Sequence, residues 1–409
     1  MNARVRRILN SSDNIGQPAG FSFSAACAGI KASGRPDLAL VEACAGTTAA
    51  AVFTRNRVVA APLEIGRASL KASRGRIRAL IVNSGNANCA MGKAGIRACQ
   101  QVCRELARLL QLRPNEIFPS STGIIGVALP VNKIVATLPH LASAREATKQ
   151  AIAAFAHAIM TTDSRPKLAS ATVYAGRTAV NVLGIAKGAG MIHPQLATML
   201  VYLFTDAVAT PAELRGLLLD TCEQTFNCIS IDGDTSTNDT VLLLASGHSG
   251  VRLKQSLVRK DFSDALLQVC QSLAEQIVSD GEGVKHVIQL FVEQARNRAE
   301  AREVARTVAH SLLVKTAWAG ADPNWGRILA VVGRSGIALD PAKVSIKIGD
   351  QMVCRGGVAC AFDEKRAHLA LSQPRCDIRV SLGRGSRSIL FLTTDLTAEY
   401  VSINADYST

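Results

Sequence analysis

Apolar residues recur at three- and four-residue steps across 93–112, where Ile96, Cys99, Val102, Cys103, Leu106 and Leu110 fall on one face of a helix. The same period predicts helices over about 142–160, 211–226, 263–278 and 298–313. Between them lie short aliphatic and β-branched runs, 77–83, 240–245, 286–291, 343–348 and 389–393, with Gly, Asn and Asp at their ends. Those runs read as strands. Interleaved elements of both kinds predict an α/β (α+β) layered sandwich. The polar stretch 293–306 reads as a helix with an exposed face rather than as a linker, and neither a solenoid-scale repeat nor a low-complexity segment breaks the pattern.

Composition narrows the class. A chain of 409 residues with 48% hydrophobic content has ample length for a large core, and the length suggests two or three domains. Its apolar runs, such as 199–204, fall well short of the roughly 18 residues that span a bilayer. No membrane protein is expected. Met1 to Asn10 carries three arginines but no apolar stretch follows, so the start does not read as a secretory signal and a cytoplasmic location is expected. The formal charge of +14 is scattered rather than gathered into a basic face with interleaved aromatics, which argues against a nucleic-acid platform. Eleven cysteines contain no C-x-x-C pair, and an odd count without a secretion signal fits a reducing compartment. The seven histidines show no zinc spacing, so no metal site is expected. Asp232 to Asp239 is acidic but lacks the glycine and glutamate of a calcium loop, and reads as a hydrogen-bonded turn set. Gly188 to His193 lacks the third glycine of a dinucleotide fingerprint, and no phosphate-binding loop is present.

The run Ala186-Lys-Gly-Ala-Gly-Met-Ile-His-Pro-Gln-Leu-Ala-Thr-Met-Leu200 carries the most chemistry. A lysine, two glycines, a proline and an Ala-Thr step before an apolar segment suggest a threonine presented at a bend. Thr198 reads in two ways. It is either the start of a buried helix or strand, or a nucleophile that attacks the Ala197 carbonyl, shifts the acyl group from nitrogen to oxygen and leaves a new N-terminus when water opens the ester. In the second case the chain becomes two pieces, 1–197 and 198–409. The α-amino group so exposed titrates near about 7.7 to 8.0, which suits a general base acting on its own hydroxyl. Ser120-Ser-Thr-Gly123 reads as a turn able to offer a hydroxyl and backbone N–H groups. His193 is a candidate proton acceptor or a plain loop residue. Lys187 and Glu282 are solvated charges or ligand contacts.

Further motifs change the weighting of these alternatives. Asn83-Ser-Gly-Asn-Ala-Asn88, Ser121-Thr-Gly-Ile-Ile-Gly126, Met160-Thr-Thr-Asp163, Asp232-Gly-Asp-Thr-Ser-Thr-Asn-Asp239, Gly281-Glu-Gly283, Asp322-Pro-Asn-Trp-Gly-Arg327 and Val401-Ser-Ile-Asn-Ala-Asp-Tyr-Ser-Thr409 occur in order along nearly the whole chain. Together with the Ala-Thr step the set resembles the ornithine acetyltransferase family, also called bifunctional glutamate N-acetyltransferase, of arginine biosynthesis. The resemblance implies two α/β lobes with packed sheets and a cut between sheet-forming segments that leaves both pieces in one fold. It implies Thr198 as nucleophile, Thr122 and Gly123 as oxyanion hole, cleavage between Ala197 and Thr198, and substrate contacts from Thr161, Lys187, Thr198, Glu282, Asn404 and Thr409. The expected substrates are N-acetylornithine and glutamate. No cofactor or metal is expected, acetyl-CoA is left open as a second donor, and the expected assembly is a heterotetramer of two upstream and two downstream pieces. One departure is visible, since Gly281-Glu-Gly-Val-Lys-His286 differs after the glutamate from the Gly-Glu-Gly-Ala-Thr-Lys pattern associated with the family. The rival readings are an N-terminal-nucleophile amidase or aminopeptidase that gives the acyl group to water, and a noncatalytic basic binding protein.

Overall fold

The computed structural model describes residues 15–193, 199–254 and 256–406. Four strands form one sheet in the order Phe21–Ala26, Leu38–Ala43, Ala79–Asn86 and Ile117–Ile124, the last pair running parallel. Five others form a second sheet in the order Thr48–Phe53, Thr240–Ala245, Leu200–Thr205, Thr178–Lys187 and Lys167–Ala175. The two sheets pack face to face. Phe23, Val41 and Val82 from one meet Ile185, Tyr202 and Leu242 from the other in a common core, where the rings of Phe23 and Phe204 lie edge-on at 5.3 Å. Helix Gly92–Leu110 covers the outside of the first sheet through Cys99, Val102, Cys103 and Leu106, and helix Ser256–Ser279 covers the outside of the second through Val269 and Leu273. The result is a helix, sheet, sheet, helix sandwich.

A seven-stranded sheet builds the other lobe around Val287–Ala295, which pairs in parallel with Arg375–Ser381 and antiparallel with Arg387–Thr394. Helices Arg298–Ala309, Leu312–Ala319 and Trp325–Gly333 share its core through Val304, Val308, Trp318 and Val332. Helix Ser256–Ser279 also touches Arg387–Thr394, so it lies between the two lobes.

The expected mixed architecture with packed sheets is present, and the differences from the sequence reading are local. The helix expected from 142 starts only at Lys149, where Thr148 caps it by accepting from the Ala151 N–H, because Glu146 is drawn into a backbone pair with Phe23. The run 298–313 breaks at His310, and Ser311 opens a separate helix by capping Val314. Glu293 to Ala295 ends a strand instead of starting a helix, since Glu293 still pairs with Ser381 and, past a bulge after Val292, Ala295 pairs with Arg387. No helix among the described residues is long and apolar enough to cross a membrane.

One pairing bears directly on chemistry. Thr178–Lys187 and Leu200–Thr205 are antiparallel neighbours with Lys187 opposite Leu200. The segment that joins them therefore begins and ends at one edge of the sandwich.

Candidate active site

Thr122 and Gly123 lie near the end of a strand rather than in the turn expected from the sequence. The reason is a parallel ladder with Ala79–Asn86, in which Thr122 faces Ser84 and Gly123 faces Gly85. Gly123 has φ +132°, and a Cβ built on it would stand 2.3 Å from the Gly85 carbonyl carbon and 2.4 Å from the Asn86 nitrogen. Only glycine fits there. The strand end is held from behind, where the Ser121 hydroxyl donates to Asn83 Oδ1 at 2.6 Å and the Asn238 amide donates to the Ser121 carbonyl at 2.9 Å.

Lys187 ends its strand with its ammonium turned toward these residues. Its Nζ donates to Thr161 Oγ1 at 2.7 Å and to Thr122 Oγ1 at 3.3 Å, and stands 3.9 Å from Asp163. Burial lowers its pKa against the opposing pull of Asp163. Asp163 also accepts from Lys167 Nζ and from the Gly188 N–H, each at 2.6 Å. Burial works to raise the Asp163 carboxyl, but Lys187 and Lys167 more than offset it and hold the group well below the usual carboxylate range. Lys167, fully buried, makes a second ion pair to Asp280 at 2.6 Å. The Lys187 ammonium thus rests on a paired, neutralised base.

The opposite wall is acidic. Glu282 packs so closely on Gly190 that a Cβ there would meet its Oε2 at 2.4 Å, and this oxygen accepts from Asn404 Nδ2 at 2.9 Å. Asn404 belongs to helix Ala398–Asp406, close to the end of the chain where fraying is the default. Two contacts dock that helix: the Thr397 hydroxyl donates to the Gly283 carbonyl at 2.7 Å, and the Tyr400 hydroxyl donates to Asp232 at 3.3 Å. Asp232 also accepts the N–H groups of Met191, Ile192 and Asp234 at 2.6, 2.9 and 3.1 Å, and burial raises its carboxyl to about 6. The turn set expected around Asp232 is thus a hub joining the 190s to the C-terminal helix. His193 is no free loop residue, because its Nδ1 lies 3.0 Å from His310 Nε2, which in turn lies 3.0 Å from the Ser230 hydroxyl. Burial lowers both imidazoles, to about 4 and about 3, so both are neutral at physiological pH.

Between these walls is a cavity of about 230 Å³ lined by Thr122, Gly123, Thr161, Lys187, Glu282 and Asn404, with Met199 and Leu200 at its side. Six of the expected site residues are thereby brought together from separated stretches of the chain. Ala197, Thr198 and Thr409 lie outside the described residues. Tyr400 and Met191 also line the cavity, and sequence reasoning did not single them out. For Tyr400 the only local signal was its place in the first turn of a helix that leads to Asn404. Hydroxyl and N–H donors beside an ammonium, facing a carboxylate, suit a small zwitterion and a developing oxyanion.

Residues 22–409 match the ArgJ family. The chain belongs to the ArgJ family. It is similar to the arginine biosynthesis bifunctional protein ArgJ of Methylococcus capsulatus, with 44% identity over 395 residues and 96% of each chain covered. It is also similar to the ArgJ protein of the same description from Bradyrhizobium diazoefficiens, with 43% identity over 396 residues and 95% of each chain covered. Among solved structures it is similar to the ornithine acetyltransferase of Mycobacterium tuberculosis complexed with ornithine, at 39% identity and a TM-score of 0.43, covering 48% of this chain and 100% of that one. ArgJ membership bears out the family resemblance carried by the motifs.

Proposed function

We propose that this ArgJ protein splits its own chain between Ala197 and Thr198 and then moves acetyl from N2-acetylornithine to glutamate, in arginine biosynthesis, through an acetyl-Thr198 intermediate. The observation that carries this reading is the cavity in which Thr122, Gly123, Thr161, Lys187, Glu282 and Asn404 converge beside Met199. In the first half-reaction Thr198 attacks the acetamide carbonyl, and Thr122 with the Gly123 N–H receives the oxyanion. Lys187 and Thr161 bind substrate carboxylate. Ornithine leaves, glutamate enters the same cavity, and its amino group takes the acetyl in ping-pong fashion.

The relatives are named bifunctional, which supports a second acetyl donor; acetyl-CoA is the co-substrate we infer, and this chemistry requires no resident cofactor or metal. We further infer a cytoplasmic heterotetramer of two 1–197 and two 198–409 pieces, a substrate contact from Thr409, and no nucleic-acid partner. The nearest alternative is hydrolysis of the acyl-enzyme. Acetylornithine supplied with and without glutamate separates the two: acetylglutamate forming only when glutamate is present supports transfer, and acetate released at the same rate in both mixtures sinks it.

The acidic wall makes a charge-specific prediction. Glu282→Gln keeps the shape and an acceptor for Asn404 but removes the carboxylate that faces a δ-ammonium. The KM for acetylornithine is expected to rise about tenfold, equivalent to ~1.4 kcal/mol, while that for glutamate changes by less than about threefold. Steady-state kinetics with each substrate varied in turn checks this, and an equal rise for both would show that Glu282 does not read the ammonium.

A further inference from the structure

Asp239 is the one cavity residue among those described whose chemistry the scheme above leaves unused and whose buried oxygen lacks a partner. Its side chain is 2% exposed, and its Oδ2 accepts no hydrogen bond. An unsatisfied buried carboxyl oxygen is costly to the fold and calls for an explanation. Asp239 lines the same cavity as Lys187, and no ion pair closes the space between them. Its place along the chain is telling: Thr240 pairs in parallel with Leu200, and the Thr240 N–H donates to the Met199 carbonyl at 3.0 Å. Asp239 therefore precedes a residue paired with Met199 and Leu200, the two described residues that follow Thr198 in the chain.

We propose that Asp239 is the general acid–base of the transfer, giving a proton to the departing amino group of ornithine and taking one from the arriving amino group of glutamate. The inference rests on Thr198 being the nucleophile. In the first half-reaction the Thr198 hydroxyl proton passes to its own α-amine as the Oγ–C bond forms. The C–N bond then breaks, and the Asp239 proton goes to the amine nitrogen, leaving acetyl-Thr198, an ammonium and the Asp239 carboxylate. In the second, the neutral amine of glutamate attacks the acetyl carbon and Asp239 takes its N–H proton. The Thr198 ammonium returns its proton to Oγ as the ester bond breaks, so both groups end as they began.

The surroundings suit this task. Burial raises the Asp239 carboxyl well above the usual range, against the Ser236 and Thr54 hydroxyls and the charge of Lys187. A carboxyl shifted in that direction, with an unpartnered oxygen facing the cavity, suits a group that must hold a proton before giving it up.

Leaving-group dependence is the test. p-Nitrophenyl acetate expels a phenolate that needs no proton, whereas acetylornithine expels an amine that does. Processed Asp239→Asn is expected to give a wild-type burst of nitrophenol and to lose acetylornithine turnover by about a hundredfold. Normal turnover of acetylornithine in this variant, or a burst lost in the same proportion, overturns the assignment. Should the variant not split or fold, the wild-type protein decides. Its kcat/KM should fall with rising pH through the Asp239 titration for acetylornithine and not for p-nitrophenyl acetate, and identical alkaline limbs overturn the assignment equally. Wild-type protein that gives no acetyl-enzyme burst sinks the Thr198 reading itself, a different failure from either of these.

Discussion

Thr198→Ala is expected to run as one full-length band on a denaturing gel and to transfer no acetyl group, whereas the unchanged protein should run as two bands of near-equal size. In the proposed scheme the side-chain hydroxyl attacks the Ala197 carbonyl and later carries the acetyl group, so without it neither the shift to an ester nor the new amine can arise. Losing the nucleophile of a catalytic set costs about 10⁶ in rate, below what assays of an acetyltransferase detect. Thr198→Ser keeps the hydroxyl but not the methyl that restrains χ1, so partial processing is expected. Native electrophoresis should show the two wild-type pieces travelling together, because Thr178–Lys187 and Leu200–Thr205 are neighbours in one sheet and the proposed cut lies between them in the chain. N-terminal sequencing of the downstream band should begin at threonine. A Thr198→Ala chain that still splits would assign the cutting to another residue.

What could be read from the sequence follows from how many faces of each element are buried. Helix Gly92–Leu110 shows its period because its far side is solvated, whereas Leu38–Ala43 sits between helix and sheet, sending Leu38 and Leu40 to one core and Ala39 and Val41 to the other. A strand buried on both faces loses its alternation. Thr48–Phe53 is further disguised by three consecutive alanines, which favour no strand. The site had a similar divide. Motifs picked out Thr122, Lys187, Glu282 and Asn404 one at a time, but their convergence depends on ladders and helix docking between distant segments, which no local pattern encodes. Asp163 stood inside a quoted motif, yet its ion pairs to Lys167 and Lys187 appear only once Thr178–Lys187 is laid beside Lys167–Ala175. Asn404 lay where sequence alone expects fraying, and its order traces to Tyr400 and Thr397 gripping Asp232 and Gly283.

Gly123→Ala should abolish measurable transfer while the neighbouring Gly126→Ala does not. At position 123 the added methyl meets two backbone atoms of the partner strand at under 2.5 Å, and neither can rotate away as a side-chain tip would. Relief requires the ends of Ala79–Asn86 and Ile117–Ile124 to separate, or Gly123 to leave φ +132°, and either moves the very N–H assigned to the oxyanion. Removing one such donor costs about 10² to 10³ in kcat. Scission of the chain passes through an oxyanion as well, so the variant should accumulate unsplit protein. At Gly126 the backbone is also left-handed, φ +79°, but a Cβ there meets nothing within 4 Å. That variant bears the backbone strain alone, about 1 kcal/mol or somewhat more, and should keep turnover within a few-fold. Comparing kcat and the fraction split for the pair separates strand-end geometry from loss of a glycine as such. If Gly123→Ala turned over near the wild-type rate, the oxyanion would have to be stabilised elsewhere in the cavity.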